Sequence, residues 1–456
     1  MFEKNQVFTA EIIDITSEGN GVCRINDVAV FVPQTAVGDV VEVKIVKVLS
    51  HYAYGIVNKL VLPSPDRLDN RFCKAYKKCG GCVFRHISYE AECKVKDNIV
   101  KEAFRRIGGL DPEFNDFICA DNTERYRNKA QYPLAVQDGK AVCGFYAPRS
   151  HRVIPIDDCP LQPEIFSEIV KCCLDFINEK KLSVYDEKTH TGILRHIYLR
   201  KGTYSNQIMV CLVARKDFSR QLYPLAHVLH HKFSEIFSVI MNINPDKTNV
   251  ITGDKWISLY GCEEISDTMC GNEIIISPPS FYQVNTVQAE KIYAKALEYA
   301  NPEPTDTIVD LYCGAGTIGL SMADKVLSVI GIEIVPEAVY DAKRNAKINE
   351  IYNAEFYCGD AGEVFENLRQ KGCTPDIILL DPPRKGCSEQ TLDTVISANP
   401  KKIVMISCNP STAARDAKTL SENGYTAEKV CGCDFFPATR HVEVVLLLSR
   451  QNSENK

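Results

Sequence analysis

The strongest constraint on the fold is an alternation of strands and helices in the last part of the chain. Residues 307–320 (TIVDLYCGAGTIGL) are typical of a strand, a glycine-rich turn and a helix. A second predicted strand over residues 328–333 ends in Glu333, and a predicted helix over 336–349 follows it. Further strands are predicted over residues 354–360 and 376–380. Strands that alternate with helices form a parallel, doubly wound sheet, so we expect an α/β fold here.

The glycine-rich turn predicts a nucleoside-binding site. A Gly-x-Gly turn lets a ligand approach the backbone, and an acid at the end of the next strand, here Glu333, is placed to bond ribose hydroxyls. A dinucleotide cofactor such as NAD is a rival, because Gly314, Gly316 and Gly319 match its fingerprint spacing.

A candidate nucleophile lies where another strand meets a helix. The apolar residues 403–406 predict a buried strand, and residues 411–420 predict a helix with a hydroxyl near its start as cap. Cys408 lies between them, where a helix dipole is expected to lower the pKa of a thiol below its free value of about 8.5. The alternative is a small buried hydrophobic residue.

The N-terminal residues 1–60 predict an all-strand unit. Five short runs, separated by Gly, Asn, Asp and Pro turns, fit a small OB-like barrel. Residues 60–70, which contain two prolines, predict a linker.

A cysteine-rich, basic segment follows over residues 71–85. It carries Cys73, Cys79 and Cys82 in a C-x5-C-x2-C spacing, and Cys159 is the best candidate for a fourth ligand. Four thiolates hold either zinc or an iron–sulfur cluster, and the spacing does not choose between them. The segment also has five Lys or Arg residues and no acid, interleaved with aromatic side chains, a composition suited to RNA. Those aromatic side chains are Phe72, Tyr76 and Phe84.

The totals set outer limits on the class of protein. A chain of 456 residues holds two to four domains, and a net charge of −6 argues against indiscriminate nucleic-acid binding. There is no apolar run near the length of a membrane span and no basic-then-apolar leader. With 20 cysteines and no export signal, we expect a cytoplasmic protein whose cysteines are ligands, catalysts or core.

Taken together, the motifs resemble those of the RNA uracil-5-methyltransferases of the TrmA/RumA type over nearly the whole chain. The N-terminal segments GNGV (19–22) and FVPQTAVGDV (31–40) are similar to a TRAM domain, an RNA-binding module. The other matches are the CGGC loop (79–82), FYQVN (281–285), DLYCGAG (310–316), DPPRKG (381–386), SCNP (407–410) and DFFPATRHVE (434–443).

This resemblance implies an architecture and a set of cofactors. We expect a TRAM barrel over residues 1–60, a mixed α+β central domain with the metal site over 71–275, and a class I methyltransferase domain over 276–456. The methyl donor is S-adenosylmethionine, and Cys73, Cys79, Cys82 and Cys159 hold a [4Fe-4S] cluster. The residues implied to contact S-adenosylmethionine are Gln283, Tyr312, Glu333, Asp381 and, where relatives often have asparagine, Thr317 and Asp360.

The implied reaction explains why these residues are present. C5 of uracil takes a methyl group only after Cys408 adds to C6, and Glu443 then removes the C5 proton. Phe281 is expected to stack on the flipped base, and Asp381 to bond near it.

The tRNA-specific members of the family that this chain resembles lack the cluster and the TRAM domain, so the resemblance implies 23S ribosomal RNA as the substrate. We expect no membrane association and no obligate protein partner. The alternatives are a tRNA uracil-5-methyltransferase, an amino-methyltransferase and a non-catalytic RNA-binding assembly protein.

Overall fold

The computed structural model describes residues 2–68 and 73–451 of the chain. Arg71 and Phe72 of the predicted basic segment, and the linker residues 69–70, lie outside them. Within these ranges the strands form sheets of six, seven and eight strands and a two-stranded hairpin. No helix of the described residues is both long and apolar enough to cross a membrane.

The N-terminal sheet forms the predicted OB-like barrel. Its strands are β1 (Val7–Glu11), β2 (Asp14–Ile15), β3 (Asn20–Ile25), β4 (Val28–Pro33), β5 (Val40–Val48) and β6 (Tyr52–Leu62), in the order β1-β5-β6-β4-β3-β2. The first predicted strand is divided in two: Ile12 N bonds Asp39 O beside β5, and Ile13 N bonds Val22 O of β3. The bend closes the sheet around an aliphatic core. Strand β6 continues over the first three residues of the predicted linker and ends at Leu62.

The next elements are helix α1 (Tyr89–Ala103), a π-helical turn (Phe104–Gly108) and the short strand β7 (Glu113–Phe114). Ser88 caps α1 by accepting a hydrogen bond from Ala91 N. The sequence pattern of residues 89–107 predicts a helix, and α1 together with the π-helical turn covers these residues.

The central sheet has seven strands in the order β10-β9-β8-β11-β12-β13-β14. These are β8 (Lys129–Gln137), β9 (Lys140–Tyr146), β10 (Val153–Pro155), β11 (Leu194–Lys201), β12 (Ile208–Ala214), β13 (Ile236–Ile243) and β14 (Lys255–Gly261). Helices α2 (Glu164–Glu179) and α3 (Ser219–Lys232) pack on one face. The sequence did not predict α3, because Pro224 inside it interrupts the helical pattern.

The hairpin β15 (Ile265–Met269) and β16 (Asn272–Ile276) and helix α4 (Thr286–Ala300) lead into the C-terminal sheet. Its own strands are β17 (Thr307–Leu311), β18 (Ser328–Glu333), β19 (Ala354–Cys358), β20 (Ile377–Leu380), β21 (Lys402–Ser407), β22 (Tyr425–Cys433) and β23 (Glu443–Arg450). The helices are α5 (Thr317–Met322), α6 (Pro336–Ile348), α7 (Ala361–Gln370), α8 (Glu389–Ala398) and α9 (Pro410–Glu422).

The order of the C-terminal sheet is β19-β18-β17-β20-β21-β23-β22-β7. Strands β17 to β21 are parallel, β23 is antiparallel to β21, and both faces are covered by apolar cores. The chain order reverses between β17 and β20, and ligands of such sheets bind at the carboxyl ends of the strands at that reversal. Strand β7 and helix α1, which precede the central sheet in sequence, pack on this C-terminal sheet.

Candidate active site

A cavity of about 750 Å³ opens at the carboxyl edge of the C-terminal sheet, at the reversal of strand order. The predicted catalytic, cofactor-binding and substrate-binding residues line it, with the exception of Thr317. Those that line it are Phe281, Gln283, Tyr312, Glu333, Asp360, Asp381, Cys408 and Glu443. These residues come from segments distant in sequence, so the sheet is what brings them together.

Cys408 and Glu443 meet because of strand register. Strand β21 ends at Ser407 and the antiparallel β23 begins at Glu443. Ser407 pairs with Val444, so Cys408 and Glu443 are the next residues at the same edge of the sheet. A thiol and a carboxylate are therefore fixed side by side by main-chain pairing.

The cap of the helix after Cys408 differs from the prediction. Asn409, not a hydroxyl, caps α9: its side chain accepts a hydrogen bond from Ser411 N at 3.2 Å. The Asn409 Nδ2 donates to the carbonyl of Arg384 at 3.1 Å. This bond joins the Asp381–Arg384 loop after β20 to the start of α9, and so holds the Asp381 segment beside Cys408.

The expectation of a lowered pKa for the Cys408 thiol was wrong. Burial, together with the neighbouring carboxylates of Glu443 and Asp381, raises the pKa of Cys408 to about 11, although Arg384 opposes the shift. Desolvation and two like charges outweigh the backbone at the helix start. A pKa raised in this way favours the protonated thiol of Cys408 at neutral pH.

Two carboxyl groups facing the cavity also have raised pKa values. Burial and the neighbouring Asp381 raise the pKa of Glu443 to about 8, while Arg384 lowers it. Burial and Glu333 raise the pKa of Asp381 to about 7. A carboxyl group with a pKa near the working pH is suited to general acid–base catalysis.

The turn after β17 is shaped to receive a ligand. Tyr312 has φ +70°, an unfavourable conformation for a tyrosine, and Gly314 has φ +54°. A Cβ at Gly314 would meet no atom within 4 Å, so the space beside this glycine is open. Gly314 N donates to Glu333 Oε2 at 3.1 Å, and Val335 N donates to Oε1 at 2.9 Å. Two backbone N–H groups therefore fix the Glu333 carboxylate at the cavity wall.

The remaining predicted cofactor residues are placed less favourably. The Oδ1 atom of Asp360 caps α7 by accepting from Gly362 N at 2.9 Å and Glu363 N at 3.3 Å, so one carboxylate oxygen is already engaged. The Thr317 hydroxyl lies 3.2 Å from the Tyr293 hydroxyl and does not line the cavity.

The segment that carries Phe281 and Gln283 is fixed at its C-terminal end. Phe281 is 62% exposed at the cavity rim, where a ring is free to stack on a base. Gln283 O accepts from Asn128 Nδ2 at 2.9 Å, and Asn285 caps α4 while its Nδ2 donates to Phe435 O at 3.0 Å. The cavity wall is thus tied to the loop between β22 and β23.

A buried ion network supports that loop and was not predicted from the sequence. Lys96 of α1 is fully buried and donates to Glu92 Oε1 at 2.6 Å, Asp434 Oδ1 at 2.7 Å and Phe436 O at 3.1 Å. Glu92 Oε1 also accepts from Ala438 N at 2.7 Å, and Ala438 has φ +67°. The network holds the residues that lead to His441 and Glu443.

We expect Lys96→Met to destabilise the protein by about 3–5 kcal/mol, because removing one partner leaves buried carboxylates without a counter-charge. Lys101→Met is the matched control: on the same helix, Lys101 pairs with Asp97 at the surface, where such a pair contributes about 0–1 kcal/mol. Urea unfolding of both variants measures the difference. Equal and small losses of unfolding free energy in the two variants would show that the buried network contributes little to stability.

The four predicted cysteine ligands lie around one small cavity. Cys73, Cys79, Cys82 and Cys159 line a space of about 100 Å³. Burial raises the pKa of the Cys82 thiol to about 12 and also raises the pKa values of Cys79 and Cys159. In the described part of the chain, no three His, Cys, Asp or Glu side chains are arranged to hold a single metal ion.

Comparison with known families gives two matches. The model described as tRNA (uracil-5-)-methyltransferase matches residues 88–451, and the TRAM domain model matches residues 2–57. A protein of Halalkalibacterium halodurans described as an uncharacterized RNA methyltransferase is 39% identical over 450 residues, which cover 98% of both chains. One of Clostridium tetani with the same description is 39% identical over 100% of this chain and 98% of its own.

Among solved structures, the tRNA (uracil-54, C5)-methyltransferase of Pyrococcus abyssi, crystallised with S-adenosyl-L-homocysteine, superposes with a TM-score of 0.77. It is 28% identical, and the match covers 96% of this chain and 99% of that one. The part of this chain outside the match is shorter than the barrel of β1 to β6, so the match includes at least part of the barrel.

Proposed function

The chain belongs to the tRNA (uracil-5-)-methyltransferase family, with a TRAM domain at its N-terminus, and from this we propose how it acts. It is an S-adenosylmethionine-dependent RNA methyltransferase. We propose that it methylates C5 of a uridine in structured RNA, with Cys408 as nucleophile and Glu443 as base. The observation that carries the proposal is the pairing of these two residues at one sheet edge, inside the cavity that also holds the Glu333 carboxylate.

The proposed reaction begins at the thiol. Cys408 gives up its proton and its sulfur forms a bond to C6 of uracil, which moves an electron pair onto C5 and O4. Asp381, with a pKa near 7, is the proposed acceptor of the thiol proton. C5 then forms its bond to the donor's methyl carbon as the methyl–sulfur bond breaks. Glu443 takes the C5 proton, and the C6–sulfur bond breaks to return the Cys408 thiolate.

The donor fits the residues at the reversal of strand order. S-adenosylmethionine supplies an electrophilic methyl group on a positively charged sulfur when bound. Glu333, fixed by two N–H groups, is proposed to accept hydrogen bonds from ribose hydroxyls, while Tyr312 and Gln283 form the neighbouring walls. Asp360 has one oxygen left for a contact, and Thr317 has no place in this proposal.

We expect Glu333→Ala to weaken S-adenosylmethionine binding about tenfold or more, since a charge-assisted hydrogen bond contributes roughly 1.5–3 kcal/mol. Titration calorimetry of the free protein measures the affinity. Glu355→Ala, an exposed acid on the adjacent strand β19, is the control and is expected to bind normally. Unchanged affinity in Glu333→Ala would remove this residue from the site.

We also propose that Cys73, Cys79, Cys82 and Cys159 hold one [4Fe-4S] cluster. Its support is the donor set: four thiols from two distant segments surround one cavity. Such a cluster binds its four thiolates through different irons, so the ligands need not converge on a single point. By holding the cluster, these four cysteines connect the 73–82 loop to the segment that precedes α2. Arg127 lines both this small cavity and the catalytic cavity, so it lies beside the cluster site.

Protein purified without oxygen is expected to contain about four irons and an equal amount of acid-labile sulfide per chain. Cys82→Ala is expected to lose most of the iron, whereas Cys143→Ala, a buried cysteine of β9 outside the cavity, is expected to retain it. Stoichiometric zinc without sulfide would contradict the cluster.

The RNA class is proposed as 23S ribosomal RNA, with tRNA as the second candidate. Support for ribosomal RNA is the combination of barrel and cysteine loop in one chain. The second candidate is favoured by the Pyrococcus abyssi tRNA enzyme, whose match extends into the barrel, so the barrel alone does not separate the two classes.

The test is methyl transfer to RNA from cells that lack the gene. Purified 23S ribosomal RNA and purified tRNA are each incubated with the protein and labelled S-adenosylmethionine. Label in 5-methyluridine of 23S ribosomal RNA alone is the expected result. Label in tRNA alone would transfer the proposal to the second candidate, and label in neither would overturn it.

A further inference from the structure

Three aromatic side chains lie together on the outer face of the N-terminal barrel. The ring centroids of Phe31 and Tyr52 are 5.4 Å apart, those of Phe31 and Tyr54 5.7 Å, and those of Tyr52 and Tyr54 5.7 Å. We propose that this aromatic platform (Phe31, Tyr52 and Tyr54) binds unpaired bases of the substrate RNA. The inference rests on the proposed function for its RNA partner.

The aromatic platform is not part of the barrel core. Its residues alternate along β4 and β6 with Val30, Val32 and Ala53, which are fully buried inside. Tyr52 is 37% exposed. The rings are tilted or edge-on to one another, with interplanar angles of 62°, 50° and 79°, so they do not stack face to face and hide one another's faces. Phe31 and Tyr54 are half-buried, and a cluster of partly exposed rings of this kind leaves faces on which a base can stack.

Strand register places a cation on each side of the aromatic platform. Tyr54 pairs with Lys47 of β5. In the other direction, Tyr52 pairs with Ala29, which pairs with Arg24 of β3. Directly paired residues point to the same face of a sheet, so the exposed Lys47 lies beside Tyr54. The exposed Arg24 lies on the same face two strands from Tyr52, and its Nη1 donates to Asp27 O at 3.1 Å.

An acid marks the edge of this surface. Phe31 pairs with Val22, and Val22 pairs with Asp14, whose carboxylate accepts from Ile15 N at 2.8 Å. The whole chain has a net charge of −6, but two cations, Lys47 and Arg24, lie on the same face of the barrel as these rings. Bases need ring faces and phosphates need cations, so the pattern fits single-stranded RNA better than an apolar protein surface.

The strand that carries Phe31 is connected to the rim of the catalytic cavity through one ion pair. Pro33 of β4 pairs with Asn20 of β3. Glu18, two residues before Asn20, forms an ion pair with Arg440. Arg440 is the sequence neighbour of His441, which lines the cavity. Phe31 lies two residues from Pro33, or about 7 Å along the strand. The barrel that carries the platform is therefore joined to the rim of the cavity, so one RNA molecule can contact both.

Because the platform lies outside the cavity, it contributes to RNA affinity and not to the chemical step. The double variant Tyr52→Leu/Tyr54→Leu keeps apolar volume but removes two ring faces. We expect it to bind a fluorescent oligouridylate of about twelve nucleotides at least fivefold more weakly, as expected for lost base stacking. Tyr52→Phe/Tyr54→Phe is expected to bind normally. Tyr352→Leu, an equivalent change at a tyrosine that is 85% exposed on the C-terminal domain, is the control.

Photo-cross-linking of the unaltered protein to the same oligonucleotide gives a second measurement that does not depend on variant folding. Cross-linked peptides are expected to contain Phe31, Tyr52 or Tyr54. Normal affinity of a folded Leu double variant, or cross-links confined to other surfaces, would overturn the platform. If the unaltered protein methylates RNA and the Leu double variant binds the oligouridylate with the same affinity, only the platform proposal is wrong. If the unaltered protein methylates no RNA, the proposed function fails instead.

Discussion

Replacing Cys408 with alanine is expected to lower the rate of methyl transfer to RNA by about a thousandfold or more. Without the thiol no bond forms to C6, and C5 of uracil is then too weak a nucleophile to take the methyl group. The same variant is expected to form no denaturation-resistant complex with RNA. Filter retention of labelled RNA under denaturing conditions, together with incorporation of labelled methyl groups, measures both losses.

The matched control is Cys358→Ala, because Cys358 is an exposed cysteine at the end of β19 in the same sheet. It is expected to retain normal turnover. S-adenosylmethionine binding by Cys408→Ala is also expected to be retained, which separates chemistry from folding. Full activity in Cys408→Ala would exclude the uracil-C5 mechanism and favour an amino-methyltransferase, a chemistry that needs no cysteine.

Replacing Glu443 with glutamine is expected to trap the reaction after methyl transfer. Addition of Cys408 and transfer of the methyl group both precede removal of the C5 proton, so losing the base strands the adduct. The elimination step cannot follow, because the electron pair that expels the thiolate comes from the C5–H bond. The expected product is a covalent protein–RNA complex that carries the labelled methyl group, with turnover lowered by at least about a hundredfold.

Glu428→Gln is the control, since Glu428 is an exposed acid on the neighbouring strand β22. It is expected to turn over normally and to accumulate no complex. An inactive Glu443→Gln that forms no covalent complex would leave the role of base to another group, with Asp381 the next candidate in the cavity. Mass spectrometry of the digested complex identifies the bond between Cys408 and the uracil.

Much of the C-terminal sheet was predictable because its signals are local. The predicted second strand, residues 328–333, is observed with the same bounds as β18, and the acid that ends it faces the cavity. Helix α6 begins at the predicted Pro336 and ends one residue early, at Ile348. Apolar runs, a proline at a helix start and a glycine-rich turn act within a few residues, so one sequence contains them in full.

The electrostatics of the site were not predictable, because they depend on residues distant in sequence. The helix after Cys408 predicted a lowered pKa, but the pKa is raised by burial and by Glu443 and Asp381, which come from other strands. The Lys96–Asp434 bond joins residues 338 positions apart, and α1 gives no sign of it beyond a Glu92–Lys96 spacing. Register and burial are properties of the assembled sheet, and they decide the charge state of Cys408.

The most direct test of the central claim is to identify the position of the transferred methyl group. RNA from cells that lack the gene is incubated with the protein and S-adenosylmethionine carrying a deuterated methyl group, then digested to nucleosides for mass spectrometry. The proposed mechanism predicts 5-methyluridine that carries the whole deuterated methyl group and has lost its C5 hydrogen. Transfer of that group to an exocyclic amine or a ribose oxygen, with none on uracil C5, would contradict it.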